Sequence, residues 1–297
     1  MDVEALRTFV AIHRSGAVTR AAAELFRSQP AVSRRLALLE RELGAPLFER
    51  VPGGLVLSEA GRTLLPFAER TLAAVRDAEA AVQALRSEAT GPVAVALVGT
   101  LASTGLTAVL RRFARRHPAV ELTLRTATSA EVSDLVRRAD VTLGLRYGAD
   151  PSPDLDCETL LSERMVVAAA PDHPRAGTRV TRAGDLAGER WIAFPEAPGR
   201  PEAGAGPVRA ALDAAGVDPA RILRIDSLTA QKRMVEAGFG IALVPDSGVR
   251  EELAAGTLTV LDVAGLDVSQ PVTAVTRRGG YLSAAARTLL EELSAGD

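Results

Sequence analysis

Ser28-Gln29-Pro30-Ala31-Val32-Ser33-Arg34-Arg35-Leu36-Ala37-Leu38-Leu39-Glu40 is the stretch on which the reading of the N-terminal part turns. Val32, Leu36 and Leu39 recur at i, i+4 and i+7, one stripe of a helix that must face a core. Ser28 stands where such a helix needs a cap. Pro30 is tolerated just behind it, because first-turn amides have no intrahelical partner. The stripe leaves Gln29, Pro30, Ser33 and Arg34 on the outward face. Those residue types suit a DNA major groove: glutamine bonds adenine in two places, arginine forks to guanine or phosphate, and serine adapts to either.

Upstream, Leu6, Phe9 and Val10 form the face of a first helix, which Ser15-Gly16 stops. Thr19 is expected to cap a second, with Ala21, Ala22 and Leu25 inside and only Arg27 separating it from the third. Two short helices so joined, with polar residues at the start of the second, read as a helix-turn-helix. The same spacing also describes a three-helix bundle with a solvated polar face. Downstream, Leu47-Phe48-Glu49-Arg50-Val51 and Leu55-Val56-Leu57 flank Pro52-Gly53-Gly54, a hairpin that makes the wing of a winged helix. Ser58 then caps a long helix from Glu59 to Arg86. Its apolar residues Leu65, Leu72, Val75, Val82 and Leu85 carry heptad-like spacings, and a second copy of the helix is the simplest cover for that stripe.

Beyond Gly91-Pro92, a hinge, the pattern changes. Val93–Val98 is a continuous apolar strand, a helix with Leu106, Val109, Leu110 and Phe113 on one face follows, and Val120–Leu124, Ser129–Arg138 and Val141–Leu145 continue as strand, helix, strand. That alternation is the signature of a parallel sheet covered on both faces. A second set follows: strands at Met165–Ala170, Trp191–Phe194, Ile222–Ile225 and Ile241–Val244, then Val272–Thr276, with helices at Val208–Ala215, Leu228–Ala237 and Ser283–Leu293.

Arg20-Ala21-Ala22-Ala23-Glu24-Leu25, SQPAVSRRLALLERELGAPLFER from Ser28 to Arg50, and LSEAG from Leu57 to Gly61 together resemble the LysR-type transcriptional regulators. The resemblance extends over nearly the full length. It implies a winged helix-turn-helix over residues 1–58, a linker helix and hinge over 59–90, and an α/β effector domain over 91–297, similar to periplasmic solute-binding proteins. Lobe I would comprise about 91–163 and 268–297, lobe II about 164–267. By the same resemblance Gln29, Pro30, Ser33 and Arg34 sit in the recognition helix, and Arg50 lies at the wing beside the DNA backbone. The wing tip Val51-Pro52-Gly53-Gly54 lacks the basic residue often found there.

In open α/β sheets ligands bind beyond the carboxyl ends of strands, where helices begin. Two such edges stand out: Thr100, Leu101 and Ser103 after the first strand, and Thr128-Ser129 before a helix with capping-box spacing to Glu131. Facing helix starts would cradle a small anionic effector, with Arg146 adding a charge-assisted bond and Phe194 and Pro195 walling the cleft from the other lobe. Each residue has a structural alternative. The hydroxyls are ordinary caps, Arg146 could pair with Asp140 or Asp150, and Phe194 could be core.

The 297 residues carry a formal charge of −2 and 47% apolar residues, which excludes wholesale disorder and a protein that holds nucleic acid by a basic coat alone. Lys232 is the single lysine, and arginine richness as such carries no argument. One cysteine, Cys157, leaves no intrachain disulfide and no CxxC redox or zinc motif. His13, His117 and His173 show no metal-ligand spacing, and no GxSxG, P-loop or Rossmann pattern occurs. The expectation is a cytoplasmic regulator that is not an enzyme, needs no cofactor or metal and has no membrane segment. Its partners would be double-stranded promoter DNA bearing an interrupted inverted repeat, a small-molecule effector, further copies of itself in a homodimer or homotetramer, and the transcription machinery.

Overall fold

A computed structural model describes residues 1–84, 92–195 and 206–295. The N-terminal helices are α1 (Val3–Ser15), α2 (Val18–Glu24) and α3 (Gln29–Leu43), followed by the wing strands β1 (Phe48–Val51) and β2 (Gly54–Leu57). Asp2 caps α1 and Ser28 caps α3. Thr19 is not a cap: α2 starts at Val18 after Ala17, and the Ser15 hydroxyl donates to the Ala17 carbonyl at 2.9 Å. That bond tightens the turn and brings the helix start forward.

The α2–α3 connection is longer than the single residue the sequence suggested. The Arg27 amide returns to the Ala22 carbonyl at 2.9 Å and the Phe26 amide to Ala23 at 3.2 Å. This is a Schellman ending, with Phe26 in the left-handed region at φ +52°. A bulky side chain there costs about 1–2 kcal/mol.

Buried Leu6, Phe9, Leu39 and Leu47 form the core of this domain together with Ala68 and Leu72 of α4 (Glu59–Ala84). The Ser58 hydroxyl accepts from the Gly61 amide at 3.0 Å and donates to the Pro46 carbonyl at 2.6 Å, so it caps α4 and ties it to the wing. Gly61 is required at this joint: a Cβ would lie 2.2 Å from the Leu47 carbonyl oxygen.

The C-terminal part is built on a ten-stranded sheet. Lobe I contributes β3 (Val93–Val98), β4 (Leu122–Ala127) and β5 (Leu143–Tyr147), with α5 (Leu106–Arg116) and α6 (Ser129–Arg137). β3 is parallel to both β4 and β5. The pleat sorts its residues: Val93, Val95 and Leu97 enter one core, while Ala96 enters the core beneath α6. Gly144 lets α6 settle close, since a Cβ would lie 2.6 Å from Val132.

β6 (Leu155–Ala169) is a 15-residue strand where only its last third was expected. Lobe II follows with β7 (Arg179–Val180), β8 (Trp191–Ala193), α7 (Pro207–Ala214), β9 (Ile222–Arg224), α8 (Leu228–Glu236), β10 (Ile241–Pro245), α9 (Arg250–Ala255) and β11 (Thr259–Val263). β12 (Val268–Arg277) then returns antiparallel to β6, in register from Val268↔Met165 to Arg277↔Leu155, and α10 (Ala284–Ala295) covers lobe I. β6 and β12 are the two crossings between the lobes.

Candidate functional site

On α3, Val32 and Leu39 are buried and Leu36 is partly buried, while Gln29, Pro30, Ser33 and Arg34 are exposed on one outer face. Arg50 is exposed on β1, paired in register with Leu55 of β2. The Leu55 amide donates to the Gly16 carbonyl at 3.0 Å, which seats the wing against the α1–α2 turn and fixes its position relative to α3.

The helix stripe is rotated from the expected one. Leu72 is 6% exposed and belongs to the core of its own winged-helix domain, and Leu65 packs against that core. Val75 is half-buried, and Leu85 lies outside the described residues. The uncovered surface runs instead through Phe67, Thr71, Ala74, Ala78 and Val82, all exposed, with the two large residues at 57% and 55%. The winged-helix core takes Leu65 and Leu72, apolar positions that heptad spacing alone leaves to a partner.

At the interlobe site, the turn after β3 also departs from expectation. Gly99–Ser103 is a short 310 turn, and α5 starts only at Leu106, so neither Thr100 nor Ser103 caps a helix. Leu101 is fully buried in the lobe I core and presents no side chain to a ligand. Thr100 is buried, and its hydroxyl donates to the Tyr147 hydroxyl at 3.1 Å. Ser103 is exposed. Thr128 closes a capping box with Glu131, whose carboxyl the Thr128 amide and hydroxyl hold below the usual range. Ser129 accepts from the Tyr147 amide at 3.4 Å.

Arg146 does not reach the cleft as a free cation. Gly144 and Arg146 share a pleat face, so both point at α6. There the guanidinium bonds Ser133 at 2.7 Å and Asp150 at 2.6 Å, with only 8% of its side chain exposed. Of the alternatives in the sequence, pairing with Asp150 is the one the fold adopts. Phe194 and Pro195 are exposed at the carboxyl end of β8, the same sheet end from which β10 runs into Asp246–Val249.

Three residues that the sequence reading passed over complete the site. Tyr147 faces away from Arg146, and burial pushes its phenol up to about 12, against the Thr100 hydrogen bond and with the Glu163 charge adding to the rise. It therefore remains a neutral donor at physiological pH. Glu163, on β6, is 6% exposed, and its carboxylate accepts from the Ser247 amide at 3.3 Å. Among the described residues no cation lies within ion-pair distance of it. The buried Ser247 hydroxyl has no hydrogen-bond partner. Thr100, Ser129 and Tyr147 from lobe I thus meet Glu163 on the crossing strand and Ser247 from lobe II. Strand alternation could have found Tyr147; Glu163 needed the full extent of β6.

Residues 3–62 match the bacterial regulatory helix-turn-helix protein, lysR family, and residues 86–296 match the LysR substrate binding domain. The chain belongs to the LysR family of transcriptional regulators. The HTH-type transcriptional regulator CbbR of Xanthobacter flavus is 33% identical over 296 residues, 97% of this chain and 86% of that protein. The small neutral protease regulatory protein of Streptomyces coelicolor is 36% identical over 261 residues, covering 84% and 79%. Full-length CbnR complexed with its target DNA shares the fold at a TM-score of 0.62 and 23% identity, with 99% of each chain covered. Regulators of the LysR family bind DNA and a small effector. No helix among the described residues of this regulator is long and apolar enough to cross a membrane.

Burial alone would raise the Asp150 carboxyl, but the Ser152 amide, the Ser133 hydroxyl and the charges of Arg146 and Arg137 outweigh it and hold the group below the usual range. A lowered folded value stabilises the protein above the unfolded carboxylate pKa of about 3.9, and that stability is lost as pH falls through the folded value. Asp150→Asn leaves Arg146 buried without its counter-ion, at a cost of about 3–5 kcal/mol. Thermal unfolding should show a lower Tm at pH 7 and a gap to wild type that narrows below about pH 4. An equal Tm at pH 7 would show that the pair does not hold this strand end.

Proposed function

We propose that residues 1–58 of this cytoplasmic, non-enzymatic regulator read an interrupted inverted repeat in promoter DNA. Residues 59–90 join two copies, alone or within a tetramer, and residues 91–297 hold a small effector between their lobes. The observation that carries the DNA reading is the outer face of α3, where Gln29, Pro30, Ser33 and Arg34 stand exposed opposite buried Val32 and Leu39. The uncovered stripe from Phe67 to Val82 supports a second copy, since an exposed apolar seam of that length on a long helix favours pairing.

The effector reading rests on the convergence of Thr100, Ser129, Tyr147, Glu163 and Ser247. Arg146, on which an anionic effector was expected to rely, is already paired with Asp150. The polar groups that remain are hydroxyls and one carboxylate, which fit a polar effector able to donate hydrogen bonds to Glu163 and to accept from Tyr147 and Ser247. The 310 turn of lobe I rests against Asp246–Val249 of lobe II, so entry requires the lobes to part.

Binding to duplexes selected from a random library by the full-length protein tests the DNA face. Gln29→Ala or Ser33→Ala should cost about 1–3 kcal/mol per lost base contact and relax the preference at one position per half-site. Arg50→Ala should weaken binding to all sequences alike if it meets phosphate. Unchanged affinity in folded Gln29→Ala and Ser33→Ala proteins would remove α3 as the reading element. For the effector, a thermal-shift screen of the full-length protein against small polar metabolites should yield compounds that raise Tm. Their effect should fall at least tenfold in apparent affinity with Tyr147→Phe or Ser247→Ala, at about 1.4 kcal/mol per factor of ten, with effector-free DNA binding unchanged. Compounds that act equally on both variants would place the effector elsewhere.

A further inference from the structure

Phe26 stands at the turn between α2 and α3 with two features that folding does not explain. Its backbone is left-handed, at φ +52°, in the place where a Schellman ending favours glycine. Glycine does end α1 and α3 in that conformation, at Gly16 and Gly44. Phe26 is also 94% exposed, the most exposed of the large apolar residues described. The side chain therefore buries almost nothing within the subunit, and glycine, which has no Cβ, would relieve the backbone. A strained, solvated aromatic at the tip of a tight turn points to a contact made outside the chain.

The position says which contact. Phe26 lies two residues before Ser28, the cap of α3, and the run from Arg27 to Ala31 is exposed throughout. The ring is thus continuous with the outer face that carries Gln29, Pro30, Ser33 and Arg34. A phenyl ring offers nothing to a phosphate. In a major groove the apolar group it can cover is the C5-methyl of thymine.

Resting on the DNA-binding reading above, we propose that Phe26 is a specificity-determining residue that packs on a thymine methyl at the margin of the α3 footprint. In an inverted repeat the contact occurs once per half-site. It makes the protein prefer thymine at a position that the hydrogen-bonding residues of α3 do not read.

The test uses the full-length protein and duplexes that it selects from a random library. Wild type should enrich thymine at one flanking position in each half-site. Replacing that thymine by deoxyuridine, which deletes only the methyl, should weaken binding about fourfold per half-site, the factor that one buried methyl group supplies. Phe26→Gly should raise Tm, because the left-handed backbone is relieved. It should also lose the thymine preference and bind thymine and deoxyuridine duplexes alike; Phe26→Asn, which also tolerates this conformation, should behave the same way. A Phe26→Gly protein that selects the same sequence with the same affinity overturns the proposal, as does a wild type indifferent to deoxyuridine. Changed assembly with unchanged DNA binding would overturn it by assigning the ring to a protein contact. A wild type that enriches no sequence would instead overturn the DNA reading, and this inference with it.

Discussion

The antiparallel pairing of β6 with β12 is the constraint on which the C-terminal architecture depends. These are the only described segments that run through both lobes, and their register is continuous from Val268↔Met165 to Arg277↔Leu155 apart from one irregularity at Val272/Thr273. The lobes are therefore two ends of one sheet, and a relative motion must be taken up along this pair. Glu163, opposite Gln270, sits in that region. A ligand that bonds Glu163 and the Ser247 loop together acts where the lobes are hinged. It can shift their arrangement only by its difference in affinity for the two states, commonly about 1–3 kcal/mol of coupling.

β12 also connects the site to the DNA-reading part. Near its other end Arg277 pairs with Asp77 of α4, and Arg76 of α4 pairs with Asp140 at 3.2 Å and bonds the Arg138 carbonyl. The Arg138 charge reaches further: with burial as the larger cause, it helps to lower the pKa of His13 on α1. A cavity of about 130 Å³ lies at this junction, lined in part by Arg76, Asp77, Asp140 and Arg277. One strand thus carries both Gln270, opposite Glu163 at the proposed effector site, and Arg277, which pairs with Asp77 of α4. The Arg277–Asp77 pair is mostly shielded from solvent, with 16% and 22% of the side chains exposed, whereas Arg76 is the more exposed partner of its pair at 41%.

Legibility in the sequence followed how local each signal was. The helix-turn-helix, the wing and the alternating strands and helices were readable because a stripe such as Val32, Leu36, Leu39, or an apolar run such as Val93–Val98, needs no knowledge of what it packs against. The side of a strand that faces a ligand was not readable in that way. Arg146 and Tyr147 are neighbours, and the pleat sends one to α6 and the other to the cleft, a choice set by Gly144 and its contact with Val132. The first two-thirds of β6 escaped because Asp156, Glu158 and Arg164 break its apolar pattern; they are exposed there, and their strand is held by pairing with β12 rather than by burial. The stripe of α4 failed for a related reason: Leu72 looks unpartnered in sequence and is taken by the domain's own core.

The central claim is that two copies, paired along the seam from Phe67 to Val82, present two α3 faces to one DNA duplex. Hydroxyl-radical footprinting of the full-length protein on a duplex it has selected tests this most directly. Wild type should protect two patches on one face of the helix, separated by a multiple of about 10 base pairs. A protein carrying Ala74→Glu and Ala78→Glu, exposed positions that leave the winged-helix core intact, should protect a single patch and bind more weakly. Two unaltered patches with that variant, or a single patch with wild type, would contradict the account.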